Sequence, residues 1–187
     1  MATATLNWTP VGNVYSINQT VYYKALHDAN WALLATVGPT VNTASAPGLS
    51  DNVIYQFKVR NNCVGGTNSY SNMWELVNII CPTPVNITQG ETDAAFNFVH
   101  VGGDVSSYLV ELLSSADVVL NSQTFSPPAS NVTGSFTGLT PSTDYKIRVT
   151  SKATGDLGDH IAVCGSVSFR TNDVVCNPPT SVSATLS

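Results

Sequence analysis

The chain has 187 residues, a net charge of −5 and only 10% charged side chains. Its seven basic residues are too few for a nucleic-acid surface, which needs clustered Lys and Arg. No apolar stretch approaches the length of about 18 residues that a membrane-spanning helix requires, so we expect neither nucleic-acid binding nor membrane insertion.

The first predicted strand lies at residues 4–9, where Leu6 and Trp8 share one face of an alternating pattern. Ninety residues further along, Phe96 and Phe98 occupy the same places in a second alternating segment. Aromatic side chains at such positions fill the core of a β-sandwich.

Further short strands follow in both halves of the chain and are separated by turn residues. This spacing predicts an all-β protein with little helix. The additional strands are predicted at residues 20–25, 31–37 and 71–80 in the first half, and at 107–113, 118–125 and 165–170 in the second.

The proline-rich segment at residues 81–84 separates the two halves, and Cys176-Asn177-Pro178-Pro179 repeats its pattern near the carboxyl end. Prolines interrupt strand pairing, so we place domain boundaries there. We predict one domain at residues 1–80, a second at 81–175 and a separate terminal strand at 176–187.

The best-defined motif is a turn that leads into a strand, and it occurs twice. Leu49 and Tyr55 in the first copy lie 90 residues before Leu139 and Tyr145 in the second. This Leu-to-Tyr spacing resembles the corner between strands E and F of fibronectin type III domains, where the tyrosine hydroxyl ties the corner to nearby backbone. Tyr55 and Tyr145 are therefore predicted structural corner residues.

The resemblance implies two tandem immunoglobulin-like sandwiches of the fibronectin type III kind, as found in Bacteroidota secreted proteins and phage virion proteins. It places Trp8 on strand B. It also implies an extracellular or virion-surface protein, with no catalytic residues, no metal and no cofactor.

Four cysteines fall into two pairs along the chain, and similar secreted repeats suggest disulfides that join the F–G region of a domain to the linker behind it. The resemblance thus implies bonds between Cys63 and Cys81 and between Cys164 and Cys176. Four reduced thiols remain an alternative, and four cysteines allow two other pairings. No Cys-x-x-Cys spacing is present, which argues against zinc.

In fibronectin type III domains, which this chain resembles, each domain begins with an edge strand, A, that pairs with strand B. The second domain has such a segment, whereas the first begins directly at B, so Leu6 and Trp8 are the predicted acceptor edge. The carboxyl-terminal segment alternates like an A strand without a B strand after it. Its predicted donor residues are Thr180, Val182, Ala184 and Leu186.

These features lead to two functional hypotheses. In the first, the terminal strand is donated to the first domain of another copy, which gives a head-to-tail fibre, spike or decoration. In the second, the chain is a spacer or a glycan- or protein-binding module from a larger secreted enzyme or adhesin. The amino terminus does not resemble a signal peptide, so we expect release on lysis or a mature or excised fragment.

No catalytic motif supports an enzyme. His27, His100 and His160 are isolated, and no nucleophile elbow, phosphate loop or dinucleotide fingerprint occurs. The expected partners are other copies of the chain, with a host-surface glycan or protein as a further candidate.

Overall fold

Two β-sandwiches follow one another along the chain in the computed structural model, which describes residues 1–10, 15–83, 85–126 and 130–176. Alternation of buried and exposed side chains defines the strands, as in β9, where every second residue of Asp93–Val99 is buried. The predicted all-β class is thereby confirmed. None of the described residues form a helix long and apolar enough to span a bilayer.

The first domain consists of a two-stranded sheet facing a larger one. The small sheet pairs β1 (Ala2–Asn7) with β4 (Thr43–Leu49). The larger sheet is antiparallel and has the order β3 (Ala32–Val37), β2 (Ser16–Ala25), β5 (Tyr55–Cys63), with the short strands β6 (Asn68–Tyr70) and β7 (Trp74–Leu76) both on the free side of β5.

The second domain repeats this arrangement with one additional strand. Its smaller sheet has three strands, in the order β12 (Asn131–Thr137), β9 and β8 (Asn86–Gln89). Its larger sheet has the order β11 (Val119–Phe125), β10 (Val105–Ser114), β13 (Asp144–Thr154), followed by β14 (Asp159–Val163) and β15 (Val167–Arg170), which both pair with β13.

The predicted closing strands differ most from the observed ones. The segment predicted at 71–80 is a strand only at Trp74–Leu76, and the preceding edge strand, β6, was not predicted. Both strands pair with β5: β6 lies opposite residues 60–62 and β7 lies opposite residues 55–57. The register shifts in the segment between them, which separates the two strands. The same division occurs in the second domain, where β14 precedes β15.

Both predicted corner tyrosines hold the turn before their own strand. The Tyr55 hydroxyl accepts a hydrogen bond from the Ser50 amide at 3.2 Å, and the Tyr145 hydroxyl accepts one from the Thr140 amide at 3.1 Å. The leucines of the motif, Leu49 and Leu139, are buried in the two cores. The repeated sequence motif thus builds the same corner twice.

Candidate strand-acceptor site

The first domain carries a sheet edge that no other described residue pairs with. Strand β1 hydrogen-bonds to β4 on one side only, from Ala2 opposite Leu49 to Asn7 opposite Thr43. Unpaired edges present a row of free N–H and C=O groups that can template another strand.

A groove runs beside this edge, between β1 and the strands β6 and β7. Three cavities of about 290, 190 and 160 Å³ form it, and neighbouring cavities share lining residues. The largest lies against Ala2–Thr5, the second beneath Leu6 and Phe57, and the third between Trp8 and Tyr70. We call this feature, from Ala2 to Trp8 along β1, the acceptor groove.

The predicted acceptor residues lie in the acceptor groove and are only partly buried. Leu6 packs against the edge of the first core, and the Trp8 indole N–H donates to Oε1 of the buried Gln19. The Trp8 backbone amide donates to Asn42 O at 3.0 Å. Hydrogen bonds therefore hold both the backbone and the indole of Trp8, while the ring stays partly exposed.

The second domain shows what fills this position. Leu6 and Trp8 correspond to Phe96 and Phe98, which are 2% and 1% exposed. Strand β8 pairs with the free edge of β9 there, with Ile87 opposite Phe96. Val85 and Ile87 pack against the second core, so the additional strand is what buries the aromatic rings.

The predicted donor residues Thr180, Val182, Ala184 and Leu186 lie outside the described residues. The described part of the tail ends at Cys176, beside the turn before β9. The backbone amide of Asn172 donates to Gly90 O at 2.9 Å, and the backbone amide of Val175 donates to a carboxylate oxygen of Glu91 at 3.1 Å.

The predicted disulfide pairs are wrong. Cys81 bonds to Cys164, with their Cα atoms 5.6 Å apart, while Cys63 and Cys176 are free thiols. Cys81 packs against the core of the domain that follows it, so it pairs with the β14–β15 connection of that domain rather than with the domain behind it. The sequence did contain a signal for the correct pairing. A cysteine precedes the prolines at both 81–84 and 176–179, which indicates that Cys81 belongs to the start of the second repeat and not to the end of the first.

The junction between the domains is a polar joint that the sequence did not predict. Asn52, 2% exposed, donates from its side chain to Val101 O at 2.9 Å and accepts from the Ile80 amide at 2.8 Å. Its own carbonyl accepts from the Asp104 amide at 2.7 Å. A Cβ on Gly103 would lie 2.4 Å from that carbonyl, so only glycine permits this approach.

A second part of the joint surrounds Glu75, whose side chain is 1% exposed. Its carboxylate accepts hydrogen bonds from the Gln56 side chain and the Asp156 amide, both at 2.9 Å, and from the Leu157 amide at 3.2 Å, and it lies 3.2 Å from the His160 ring. Burial raises the pKa of Glu75, but these contacts together outweigh burial and hold that pKa below its ordinary value.

The three histidines have structural partners. His27 lies 3.2 Å from Asp104 across the joint, His160 contacts Glu75, and His100 hydrogen-bonds the buried Tyr108 hydroxyl at 2.9 Å. Burial raises the pKa of Tyr108. Within the described ranges, no three His, Cys, Asp or Glu side chains cluster as a metal site would require.

Comparison with known proteins supports the fold. No family model and no curated protein sequence matches the chain. A two-domain fibronectin type III segment of chicken tenascin matches with a TM-score of 0.56 at 14% identity, covering 90% of this chain and 92% of the tenascin segment.

Two further solved structures are similar at lower TM-scores. The FN1–FN3 domains of chicken CNTN1 match with a TM-score of 0.40 at 17% identity, over 91% of this chain and 60% of that one. The chicken interferon gamma receptor alpha chain matches with a TM-score of 0.46 at 14% identity, over 91% and 92%. The structure and the tenascin match together show that this chain has the tandem fibronectin type III fold.

Proposed function

We propose that this protein is a non-catalytic structural protein whose copies join head to tail, with residues 177–187 of one copy completing the first sandwich of the next. The observation that carries the proposal is the acceptor groove, which lies open where β8 fills the same space in the second domain. Strand addition of this kind uses backbone hydrogen bonds for affinity and side-chain pockets for specificity.

The tail repeats the sequence that fills the second domain. When Cys176 is aligned with Cys81, Pro179 falls on Pro84 and Val182 on Ile87. If the tail takes the register that β8 has with β9, Val182 would lie opposite Leu6 and Thr180 opposite Trp8.

In the same alignment, the remaining donor residues fall beside the largest of the three cavities. Ala184 would lie opposite Ala4, as Gln89 lies opposite Ala94, and Leu186, two residues further on, would approach the cavity of about 290 Å³ that Ala2 lines. Burial of Val182 and Leu186 would contribute about 1.5–3 kcal/mol each.

The route by which the tail leaves the second domain also resembles the joint. The Asn52 amide donates to Asn78 O at 2.8 Å just before the linker, and the Ser142 amide donates to Asn172 O at 3.2 Å just before the tail. Asn52 and Ser142, 90 residues apart, both have a left-handed backbone, with φ of 60° and 53°. A tail that follows the linker's path points toward a further domain.

The tail is too short to fill the acceptor groove of its own chain. It leaves the second domain beside Gly90, at the opposite end of β9 from the joint. The four residues from Cys176 to Thr180 span at most about 14 Å. Thr180 would have to pass the length of both domains to reach Trp8, and each of β9 and β1 alone spans about 20 Å. On this proposal the tail completes the first sandwich of another copy, and a contact of this kind propagates.

A disulfide cross-link tests the proposal. The Cys164 amide donates to Val149 O at 2.9 Å, and the Ser71 amide makes the equivalent bond to Val59 O at 2.8 Å, so Ser71 holds the place of Cys164. In a Cys63→Ser background, Ser71→Cys should bond to Cys176 of the next copy, as Cys164 bonds to Cys81. The expected result is a ladder of multimers on a non-reducing gel.

Two controls make the cross-link specific. The ladder should disappear when Cys176→Ser is added, and it should not form when the new cysteine replaces Asn121, an exposed residue on β11. A Ser71→Cys protein that stays monomeric at high concentration, or a ladder that survives Cys176→Ser, would overturn strand donation. The monomeric outcome would favour a module of a larger secreted protein, for which an extracellular setting is supported by the disulfide.

A further inference from the structure

One face of the first domain combines basic and aromatic side chains in direct contact. Lys58 Nζ lies 4.0 Å from the Trp31 ring centre and 5.1 Å from that of Tyr70, and the Arg60 guanidinium carbon lies 5.4 Å from the Tyr22 ring centre. Lys24 Nζ is 5.6 Å from the same Trp31 ring. We call these residues the cation–aromatic patch: Tyr22, Lys24, Trp31, Lys58, Arg60 and Tyr70.

The equivalent face of the second domain neutralises its cations with carboxylates. All four of its basic side chains form ion pairs at 2.6 to 3.1 Å. In the first domain, by contrast, no Asp or Glu among the described residues pairs with any of the three basic side chains. The four pairs are Lys146–Asp117, Arg148–Glu111, Lys152–Asp159 and Arg170–Asp144.

The contrast holds at matched positions of the sheet. Arg148 lies opposite Glu111 in the pairing of β13 with β10, and its Nε donates to the carboxylate at 2.8 Å. Lys58, 90 residues earlier, lies opposite Tyr22 in the pairing of β5 with β2. A ring thus replaces the carboxylate, which leaves the positive charge available.

Charge is distributed accordingly between the domains. Residues 1–80 contain three basic and three acidic side chains, whereas residues 81–187 contain four basic and nine acidic ones. The whole net charge of −5 therefore belongs to the second part, and the patch is a positive area on an acidic protein. Within the described residues, the buried Nε of Arg60 also lacks a hydrogen-bond acceptor.

We propose that the cation–aromatic patch binds a glycan chain bearing carboxylate or sulfate groups. Lys58 and Arg60 are two residues apart on β5, so their side chains emerge about 7 Å apart on one face, in line with an extended polymer. Guanidinium and ammonium groups pair with the anions, while the 57% exposed Tyr70 offers a ring face to the apolar side of a sugar.

A protein partner fits the patch less well. Stable protein interfaces bury about 800 Å² on each side, and lysine is depleted from them, whereas arginine and aromatic residues are enriched. Lys58 contacts the Trp31 and Tyr70 rings in this patch, so the depleted residue type holds the cationic position between the rings. Cationic centres with aromatic flanks match an anionic sugar chain instead.

Binding assays with the full chain and four probes test this inference. The probes are polygalacturonate, with carboxylates only; heparin, with sulfates as well; neutral dextran; and poly-glutamate, an acidic polypeptide. All three tryptophans lie in the first domain, so their fluorescence reports binding to that domain. We expect binding to at least one of the two acidic glycans, weakened by salt, and none to dextran.

Matched charge variants separate the patch from general charge effects. Lys58→Gln with Arg60→Gln should weaken glycan binding by about tenfold or more, because two charge-assisted contacts are lost. Lys146→Gln with Arg148→Gln removes the same charge from the equivalent strand and should change binding by less than about twofold, because those cations are already paired. Tyr70→Ala, measured in a protein that lacks residues 177–187, should also weaken binding of the glycan.

Three outcomes would overturn the inference. The first is an absence of binding to either acidic glycan at low salt, and the second is an equal loss in both charge-variant pairs. The third is tighter binding of poly-glutamate than of both glycans, which would identify an acidic protein as the partner. Each result stands apart from the cross-linking of Ser71→Cys, so the two proposals fail separately.

Discussion

Leu6 and Trp8 in the first domain hold the positions of Phe96 and Phe98 in the second, yet only the second pair is fully buried. The cause is not side-chain chemistry, because all four residues are large and apolar. The difference is one strand, β8, which covers the rings in the second domain. Closure of a small sandwich thus depends on a single edge strand.

The cores reflect the same difference. The buried cluster beneath β1 contains Ala4, Ala46, Leu49 and Phe57, and the first domain also buries Val21, Ile54 and Val59. The second core is larger and includes Phe96, Phe98, Tyr108, Val110, Phe136, Ile147 and Val149. Within the described residues, β8 covers one edge of the second core, whereas the corresponding edge of β1 is uncovered. The following variants test this comparison in order of expected effect.

Loss of the disulfide should have the largest effect, and only on the second domain. Cys81→Ser with Cys164→Ser opens a loop of 83 residues, and the chain-entropy relation predicts a loss of about 4–5 kcal/mol in the free energy of unfolding. Circular dichroism in denaturant would follow both domains, whereas tryptophan fluorescence follows the first alone.

The free cysteines provide the control for that experiment. Cys63→Ser and Cys176→Ser break no disulfide in the described structure, and serine can still accept the hydrogen bond that Asn61 donates to Cys63 Sγ, so each should leave the unfolding free energy of the monomer within about 0.5 kcal/mol. A loss of several kcal/mol in Cys63→Ser would instead support the Cys63–Cys81 bond expected from the sequence.

Replacing Phe98 and the equivalent Trp8 by alanine compares how completely the two sandwiches bury these rings. Phe98→Ala should cost about 3–5 kcal/mol, because it leaves a cavity in a packed core. Trp8→Ala should cost less in a protein lacking residues 177–187, about 1–3 kcal/mol, because its ring is already partly solvated. Equal costs in chemical denaturation would show that the acceptor groove is not open in solution.

Repetition is what made the fold predictable. Residues 90 apart, such as Tyr55 and Tyr145, build the same corner twice, and a turn motif needs only local sequence. The difference between the segments that precede Leu6 and Phe96 was also visible within the repeat, and it led to the acceptor edge that stays a prediction.

The joint and the disulfide could not be predicted in this way. Glu75 contacts residues from Gln56 to His160, and nothing in its sequence neighbourhood marks a buried carboxylate. Lys58 and Arg148 look alike in the sequence, and only the strand register shows that one faces Tyr22 and the other Glu111. Contacts between distant segments depend on how the two sandwiches are placed.

The joint provides the third prediction. Glu75→Ala should leave the Asp156 and Leu157 amides without their acceptor and should reduce coupling between the domains by about 1.5–3 kcal/mol. Hydrogen exchange of the β13–β14 loop would detect the loss. Asp28→Asn, at an exposed carboxylate of the first domain, is the matched control.

The same carboxylate gives a pH dependence of known sign. The folded-state pKa of Glu75 is lowered, so its contribution is complete above its unfolded-state pKa and is lost as pH falls through the folded value. Protection of the β13–β14 loop should therefore be constant near neutral pH and should decrease below about pH 4.5. Loss of protection between pH 6 and 7 would indicate that a histidine controls the joint instead.

The smallest expected effect on stability comes from the two corner tyrosines. Their hydrogen bonds differ mainly in how far each is shielded from water. Both hydroxyls accept one backbone hydrogen bond, at 3.2 Å for Tyr55 and 3.1 Å for Tyr145, but only the Tyr145 bond is partly buried. Because a bond shielded from water is costlier to lose, Tyr145→Phe should destabilise by about 1 kcal/mol and Tyr55→Phe by about 0.5 kcal/mol. Melting of each variant, in the presence and absence of residues 177–187, would measure both. If filling the acceptor groove completes the first sandwich, the Tyr55→Phe cost should rise toward the Tyr145→Phe cost when copies assemble, whereas a cost that is independent of assembly would mean that the donated strand does not reach the corner.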